Sequence, residues 1–367
     1  MLAGFPTRSP APMVLRHLMR VLGSTPKDPR NLTREEAYRA FGAILGGGES
    51  DILIGAFLIS LRWKGVTVEE LMGFAQAARA QARIPCQGME GLVCLCPQHD
   101  GHERFPPLDV CAGLIAAAAG ARVLILSDRC VPPRRGLTAA SVLEAMGLSM
   151  TWDPSEAEDW VAKARFAAVS ISGMLPALIA LRRIRGDVTV RTPLSTVEKL
   201  LAPPSAAVLM GAQSGPVLGT ALEVIRGLGH ERGIIVQGLD GGVIPSVRRR
   251  TRGIEMCDDT VMPVTVEPDD FGLGGDEEPE LPIFGPPEEG YGTADNAQLV
   301  QACGDITQAV LAGEMGPARR ASVLGAALIL KASGRCLTLA EGVDAASGAL
   351  DSGAAREMVP NLQRFLS

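Results

Sequence analysis

The spacing of apolar and polar positions divides the chain into two textures. Leu15, Leu18, Met19 and Leu22 recur at helical spacing and predict a helix over 13–22, ended by Pro26 and Pro29. Thr33-x-x-Glu36 and Thr67-x-x-Glu70 are capping-box signatures, each opening an amphipathic run. A buried-looking helix over 52–62 lies between them, set off from the one before it by Gly46-Gly47-Gly48. Residues 12–84 therefore predict a small all-helical unit ending at Ile84-Pro85. From residue 91 short apolar runs alternate with Ala-rich helical ones: strands over 92–96, 123–126, 166–171, 206–210, 233–237 and 261–266, with helices over 108–119, 139–146 and 219–227. Strand and helix in this order predict a mostly parallel α/β sheet. A Pro-, Gly- and acid-rich loop over 267–292 then leads into a helical tail over 297–312, 318–332 and 339–352.

Composition narrows the function classes. With 47% hydrophobic and 21% charged residues in 367, the chain is neither disordered, collagen-like nor coiled-coil. No run of about 18 apolar residues escapes interruption, which argues against a membrane span. Residues 1–11 are too Pro-rich for a secretory signal, and eight scattered cysteines fit reduced thiols, so the expected location is the cytoplasm. A net charge of −6 argues at first against a polyanion partner, but the average conceals a strong polarity. Between Gly253 and Ala318 there is no Lys or Arg, while 15 of the 41 acidic residues fall there. The rest of the chain is net basic, and nearly all of its cations are Arg, the side chain suited to fork-like phosphate contacts. High Arg beside high Ala and Gly also accords with a GC-rich genome.

Four constellations carry candidate chemistry. Cys94, Cys96, His99 and His102 offer two thiols and two imidazoles for a tetrahedral zinc, yet their spacing matches no common zinc pattern and the cysteines read as buried on one face of a strand. Gly46-Gly47-Gly48 and Gly238-Leu239-Asp240-Gly241-Gly242 are candidate phosphate loops; neither has the Lys-Ser/Thr of a P-loop, and a structural turn is the simpler reading. Basic clusters follow strand ends at Arg129, Arg134 and Arg135 and at Arg248, Arg249, Arg250 and Arg252, with others at Arg182, Arg183, Arg185 and Arg191 and at Arg319 and Arg320. Each alone reads as a solvated face; convergence on one edge would make a phosphate site. Asp128, Asp240 and the adjacent Asp258-Asp259 are candidate Mg²⁺ ligands, though a turn or cap suits them as well.

The order of features resembles the anthranilate phosphoribosyltransferases and their relatives. The residues that carry the likeness run from Leu32-Thr33-x-Glu35-Glu36-Ala37 through Leu61-Arg62-x-Lys64-Gly65, Val142-Leu143-Glu144-Ala145-Met146-Gly147, Arg191-Thr192, Thr196-Val197-Glu198-Lys199-Leu200-Leu201-Ala202-Pro203 and Asp270-Phe271-Gly272-Leu273 to Leu339-Ala340-Glu341-Gly342. The resemblance implies a helical domain over 1–85, completed by about 178–204, beside an α/β domain of 86–177 and 205–367. It also implies a homodimer through the helical domain. Departures fall at the substrate loops. Where the family has Gly-Thr-Gly-Gly-Asp to cradle a diphosphate, this chain has Cys96-Pro97-Gln98-His99-Asp100-Gly101; where it has Lys-His-Gly-Asn-Arg, this chain has Ser127-Asp128-Arg129-Cys130-Val131; and Gly241 replaces the Glu of its Asp-Glu metal pair.

That pattern of loss, with Thr196–Leu201 and Val247–Arg250, is similar to the YbiB-like branch, which keeps the fold and binds nucleic acid. The resemblance thus implies a degenerate phosphoribosyltransferase-fold homodimer that contacts the DNA or RNA backbone through Arg129, Arg134, Arg135, Arg248, Arg249, Arg250 and Arg252, with no metal and no cofactor. The alternative is an active pentosyltransferase using a pentose phosphate donor and an acceptor other than anthranilate, with Asp240 as residual Mg²⁺ ligand and Arg129 on phosphate. A third reading gives the acidic 267–290 loop a protein partner, without a motif in its favour.

Overall fold

The computed structural model describes residues 14–22, 30–213, 215–283 and 291–366. Most of the expected N-terminal tail, the prolines expected to end the first helix and residues 284–290 of the expected acidic loop lie outside them. Both capping boxes form. Thr33 accepts from the Glu36 amide at 3.2 Å and starts the helix Arg34–Leu45, and Thr67 accepts from the Glu70 amide at 3.3 Å and starts Val68–Gln81. Glu70 does more than close its box. It is wholly buried, and its carboxylate accepts from Leu32 N and Lys64 Nζ, both at 2.8 Å, and from Thr67 N at 2.9 Å, so the burial is compensated. With Asp51–Lys64 these helices enclose Phe41, Phe57 and Phe74, and the mid-chain helix Ala177–Val188 packs against Asp51–Lys64.

The described residues form one seven-stranded sheet in the order β3-β2-β1-β4-β5-β6-β7. Its strands are β1 (Leu92–Cys96), β2 (Arg122–Ser127), β3 (Phe166–Ser170), β4 (Ala207–Gly211), β5 (Arg232–Val236), β6 (Thr251–Cys257) and β7 (Thr260–Val266). The first five are mutually parallel, with Val93 beside Val123 and Cys94 beside Val208; β6 and β7 are antiparallel, with Val236 beside Gly253. β1 reads as a continuous apolar run because both its faces are covered. Val93 and Leu95 face the core formed with helices Asp109–Ala118 and Pro317–Ala332, whereas Leu92, Cys94 and Cys96 face the helical unit. No helix among the described residues is long and apolar enough to cross a membrane.

Several elements differ from the sequence expectation, among them the short helix Ile171–Met174, which takes over the end of the strand expected at 166–171, and the helices Ala177–Val188 and Leu194–Val197. β6 starts at Thr251, inside the stretch read as a basic cluster and given no strand. The helix Pro154–Ala164, opened by Asp153 as N-cap with proline in its first turn, and the terminal helix Ala354–Leu366 are additional.

Candidate functional site

Parallel strands place the loops that follow β1, β2, β4 and β5 along one edge of the sheet, where α/β proteins bind ligands. The loop after β1 is folded shut. Both oxygens of Asp100 accept from Arg191, through Nε and Nη2 at 2.6 Å, in the paired geometry typical of strong guanidinium–carboxylate contacts. Arg191 also bonds the Gln98 side-chain oxygen, and the Gln98 amide donates to the Asp240 carbonyl. Gly101, at φ +82°, lies directly on Gly136, where a Cβ would collide with the Gly136 carbonyl. The interior of this loop is thus filled by the chain's own carboxylate and amide. Beneath the clamp Lys199 donates to the Gly211 carbonyl at 2.9 Å, and burial, reinforced by Arg191, lowers its ammonium to about 8. Burial, then the charges of Lys199 and Arg185, push the pKa of His99 down, so its ring is neutral.

The loop after β5 holds Asp240 in the left-handed region, φ 52°. Its Oδ2 accepts from the amides of Glu103 and Arg104 at 3.3 Å and lies 3.7 Å from His102 Nδ1. Burial opposes ionisation, but His102 and the two amides prevail and hold the carboxyl at about 2. Gly241 packs on Gln98 and Gln213, so the glycine-rich stretch is a close-packed turn. No paired carboxylate site is assembled at Asp240: Gly241 follows it and Asp100 is taken by Arg191, which leaves Asp240 as a single carboxylate donor there. Asp128 is consumed by Ser170 Oγ and Ser172 Oγ at 2.6 Å and Arg182 at 2.7 Å, and Asp258-Asp259 turns at the opposite end of the sheet, with Asp258 N on Glu231 O. The zinc constellation is not assembled. Cys94 and Cys96 sit in the core with their sulfurs 3.8 Å apart, and no group of three metal-capable residues occurs among the described residues.

The arginines divide into spent and free. Arg182, Arg183, Arg185 and Arg191 are each tied to a carboxylate, those of Asp128, Asp51, Glu198 and Asp100. Arg129 pairs with Glu144, Arg134 with Glu103 at 3.3 Å, and Arg319 with Asp351 at 2.5 Å; Arg135 occupies a left-handed turn whose carbonyl accepts from Ala294 N. Arg250 pairs with Glu267 at 2.8 Å. Arg248, Arg249 and Arg252 are exposed and have no side-chain partner among the described residues. They line two adjoining clefts. One, of 290 Å³, is bounded by Arg104, Phe105, Arg248, Arg249 and Glu278. The other, of 720 Å³, is bounded by Gln213, Gln237, Asp240, Arg249, Arg250 and Arg252. Arg134 approaches the same edge through Glu103, whose amide sits on Asp240; Arg129 instead turns to the helix Ala139–Ala145.

Sequence reasoning missed Arg104, Gln213 and Gln237 as lining residues and the Asp100–Arg191 clamp. The partners of that clamp are 91 positions apart, and no local pattern joins them.

A helical bundle set on one face of a largely parallel sheet, with its ligand edge at the strand ends between them, defines the class. The chain belongs to the glycosyl transferase family, matching its a/b domain over residues 108–356 and its helical bundle domain over 17–82. Within that family it is similar to the anthranilate phosphoribosyltransferases of Solibacter usitatus, 31% identical over 96% of this chain and 98% of the relative, and of Brevibacillus brevis, 30% identical over 88% and 91%. Among solved structures, the enzyme from Thermus thermophilus superposes with a TM-score of 0.78 at 23% identity over 96% of this chain and 99% of that one. The Saccharomyces cerevisiae enzyme in complex with PRPP and Mg gives 0.76 at 16% over 96% and 97%. At these identities the two structures speak for the fold.

Proposed function

We propose that the protein is a phosphoribosyltransferase-fold homodimer of the YbiB-like kind that binds the phosphate backbone of nucleic acid, DNA foremost, along the arginine-lined edge. One observation supports the reading: the loop after β1, which the resemblance aligns with the family's diphosphate loop, is closed by Asp100 and Gln98 on Arg191, while three unpaired guanidinium groups stand on the same edge. Arg248, Arg249 and Arg252 supply the primary contacts; Arg250, Arg134 and Arg135 flank them. Contacts of this kind read charge and spacing, not base sequence. The helical unit carries exposed Ile52, Trp63, Ile179 and Val190, which supports self-association through that unit and is tested by the mass in solution. Turnover tests the reading from the other side. Pyrophosphate release from PRPP with anthranilate or other aromatic amines is expected to be absent; sustained release would overturn it.

A second reading, a pentosyltransferase with an acceptor other than anthranilate, is favoured by one feature, the ionised Asp240 bordering the 720 Å³ cleft. It requires a donor that needs neither the closed loop nor a paired metal site.

A further inference from the structure

The acid-rich stretch and the basic edge, opposite extremes of the charge pattern, are folded onto one another. Glu280 pairs with Arg104 at 2.5 Å and Glu267 with Arg250 at 2.8 Å. Glu278 accepts from Ser246 Oγ and from Val247 N at 3.1 Å, at the root of Arg248 and Arg249. The segment is fastened on either side of Glu278 and Glu280: Gly275 N donates to Val247 O at 3.0 Å, Leu281 N donates to Arg104 O at 3.0 Å, and the Leu281 side chain is buried in the core. Arg104 itself is held over the Phe105 ring, 5.1 Å from its centroid, at the wall of the smaller cleft.

We propose that residues 267–281 form an acidic strap that competes with phosphate for the arginine edge, so that Glu267 and Glu280 occupy two cationic positions which a bound polyanion takes over. This rests on the nucleic-acid reading above. The two ion pairs are solvent-exposed, with each side chain between a quarter and two thirds accessible, so a ligand can exchange them at modest cost. A ligand with one phosphate meets the free guanidinium groups alone. A polymer with successive phosphates reaches Arg104 and Arg250 as well and displaces the carboxylates, so the strap selects for chain length over single nucleotides.

The test uses the full chain and a fluorescent single-stranded oligonucleotide, with the double variant E267Q/E280Q compared with the unaltered protein and with R248A/R249A/R252A. Glu278 is left in place because it fastens backbone. Relief of two exposed ion pairs is expected to tighten oligonucleotide binding about 2- to 30-fold. The slope of log affinity against log salt steepens by about 1.4, the value for two added phosphate contacts on a single strand. Binding of a mononucleotide stays within about twofold. If the unaltered protein binds and the triple arginine variant does not, yet E267Q/E280Q leaves affinity and slope unchanged with an unaltered melting curve, the strap is refuted and the binding reading stands. If none of the three proteins binds at low salt, the binding reading falls and the strap with it. Binding by E267Q/E280Q alone supports the strap most strongly.

Discussion

Opening the Asp100–Arg191 clamp is the sharpest way to ask whether the loop after β1 is closed by design. The Asp100 side chain is 2% exposed and that of Arg191 19%, and two hydrogen bonds of 2.6 Å join them. Removing one partner of a well-buried pair costs about 3–5 kcal/mol, because the other charge is left without compensation. Water reaches Arg191 in part, so R191Q is expected somewhat below that range, about 2–3 kcal/mol, and D100N similar. The two changes do not add: the double variant leaves no orphaned charge, and the coupling is expected at about 1–3 kcal/mol. Urea unfolding of the four proteins at pH 7, followed by circular dichroism, measures both quantities. Single variants within about 0.5 kcal/mol of the parent would place the clamp with ordinary surface pairs. The loop would then be free to open for a diphosphate, and the main objection to donor binding would be gone.

Three further outcomes follow from local geometry. His230 is buried, its Nδ1 lies 2.9 Å from the Ala206 carbonyl and its Nε2 3.4 Å from Arg79, so the neutral ring donates from Nδ1 and accepts at Nε2. Burial above all lowers its pKa to about 4; the unfolded chain takes up the proton near 6.5, so the contribution is full above 6.5 and is lost as pH falls toward 4. H230N should therefore lose about 3 kcal/mol less than the parent between pH 7 and pH 4 in urea midpoints, and identical pH profiles would contradict the assignment. G101A should cost more than about 2 kcal/mol, since a methyl there meets the Gly136 carbonyl in a left-handed backbone, whereas G272A, at φ +66° with open space around it, should cost only about 1 kcal/mol. C94A should leave zinc content and sensitivity to chelators unchanged, as a core thiol would; loss of stoichiometric zinc on this change would restore the metal reading.

Much of the fold is legible along the chain because its determinants are local. The capping boxes at Thr33 and Thr67 and the uninterrupted apolar run of β1 each state their element within a few residues. β6 was obscured because its first residues, Thr251-Arg252-Gly253, continue a run of arginines, and its pairing with β5 is set by a neighbour and not by alternation. The start at Asp153-Pro154 carried a usable signal, an N-cap followed by proline, that the apolar pattern outweighed. That Arg248–Arg252 lie near the strand ends of the sheet followed from their place after a strand. Which arginines are free did not. Arg129, Arg182 and Arg185 look like Arg249 in sequence, and what separates them is a carboxylate brought from elsewhere in the chain. The acidic stretch likewise gave its charge away without showing that it folds back on Arg104 and Arg250.

Phosphate binding at the arginine edge is tested most directly by anisotropy titration of a labelled single-stranded oligonucleotide, from about 50 to 200 mM salt, against the parent protein and R248A/R249A/R252A. The account predicts that the parent binds and weakens steeply with salt, and that the triple variant binds far less, with a log–log slope shallower by about 2 for three lost contacts. No binding by the parent at the lowest salt, or equal affinity and slope in the triple variant, would contradict it.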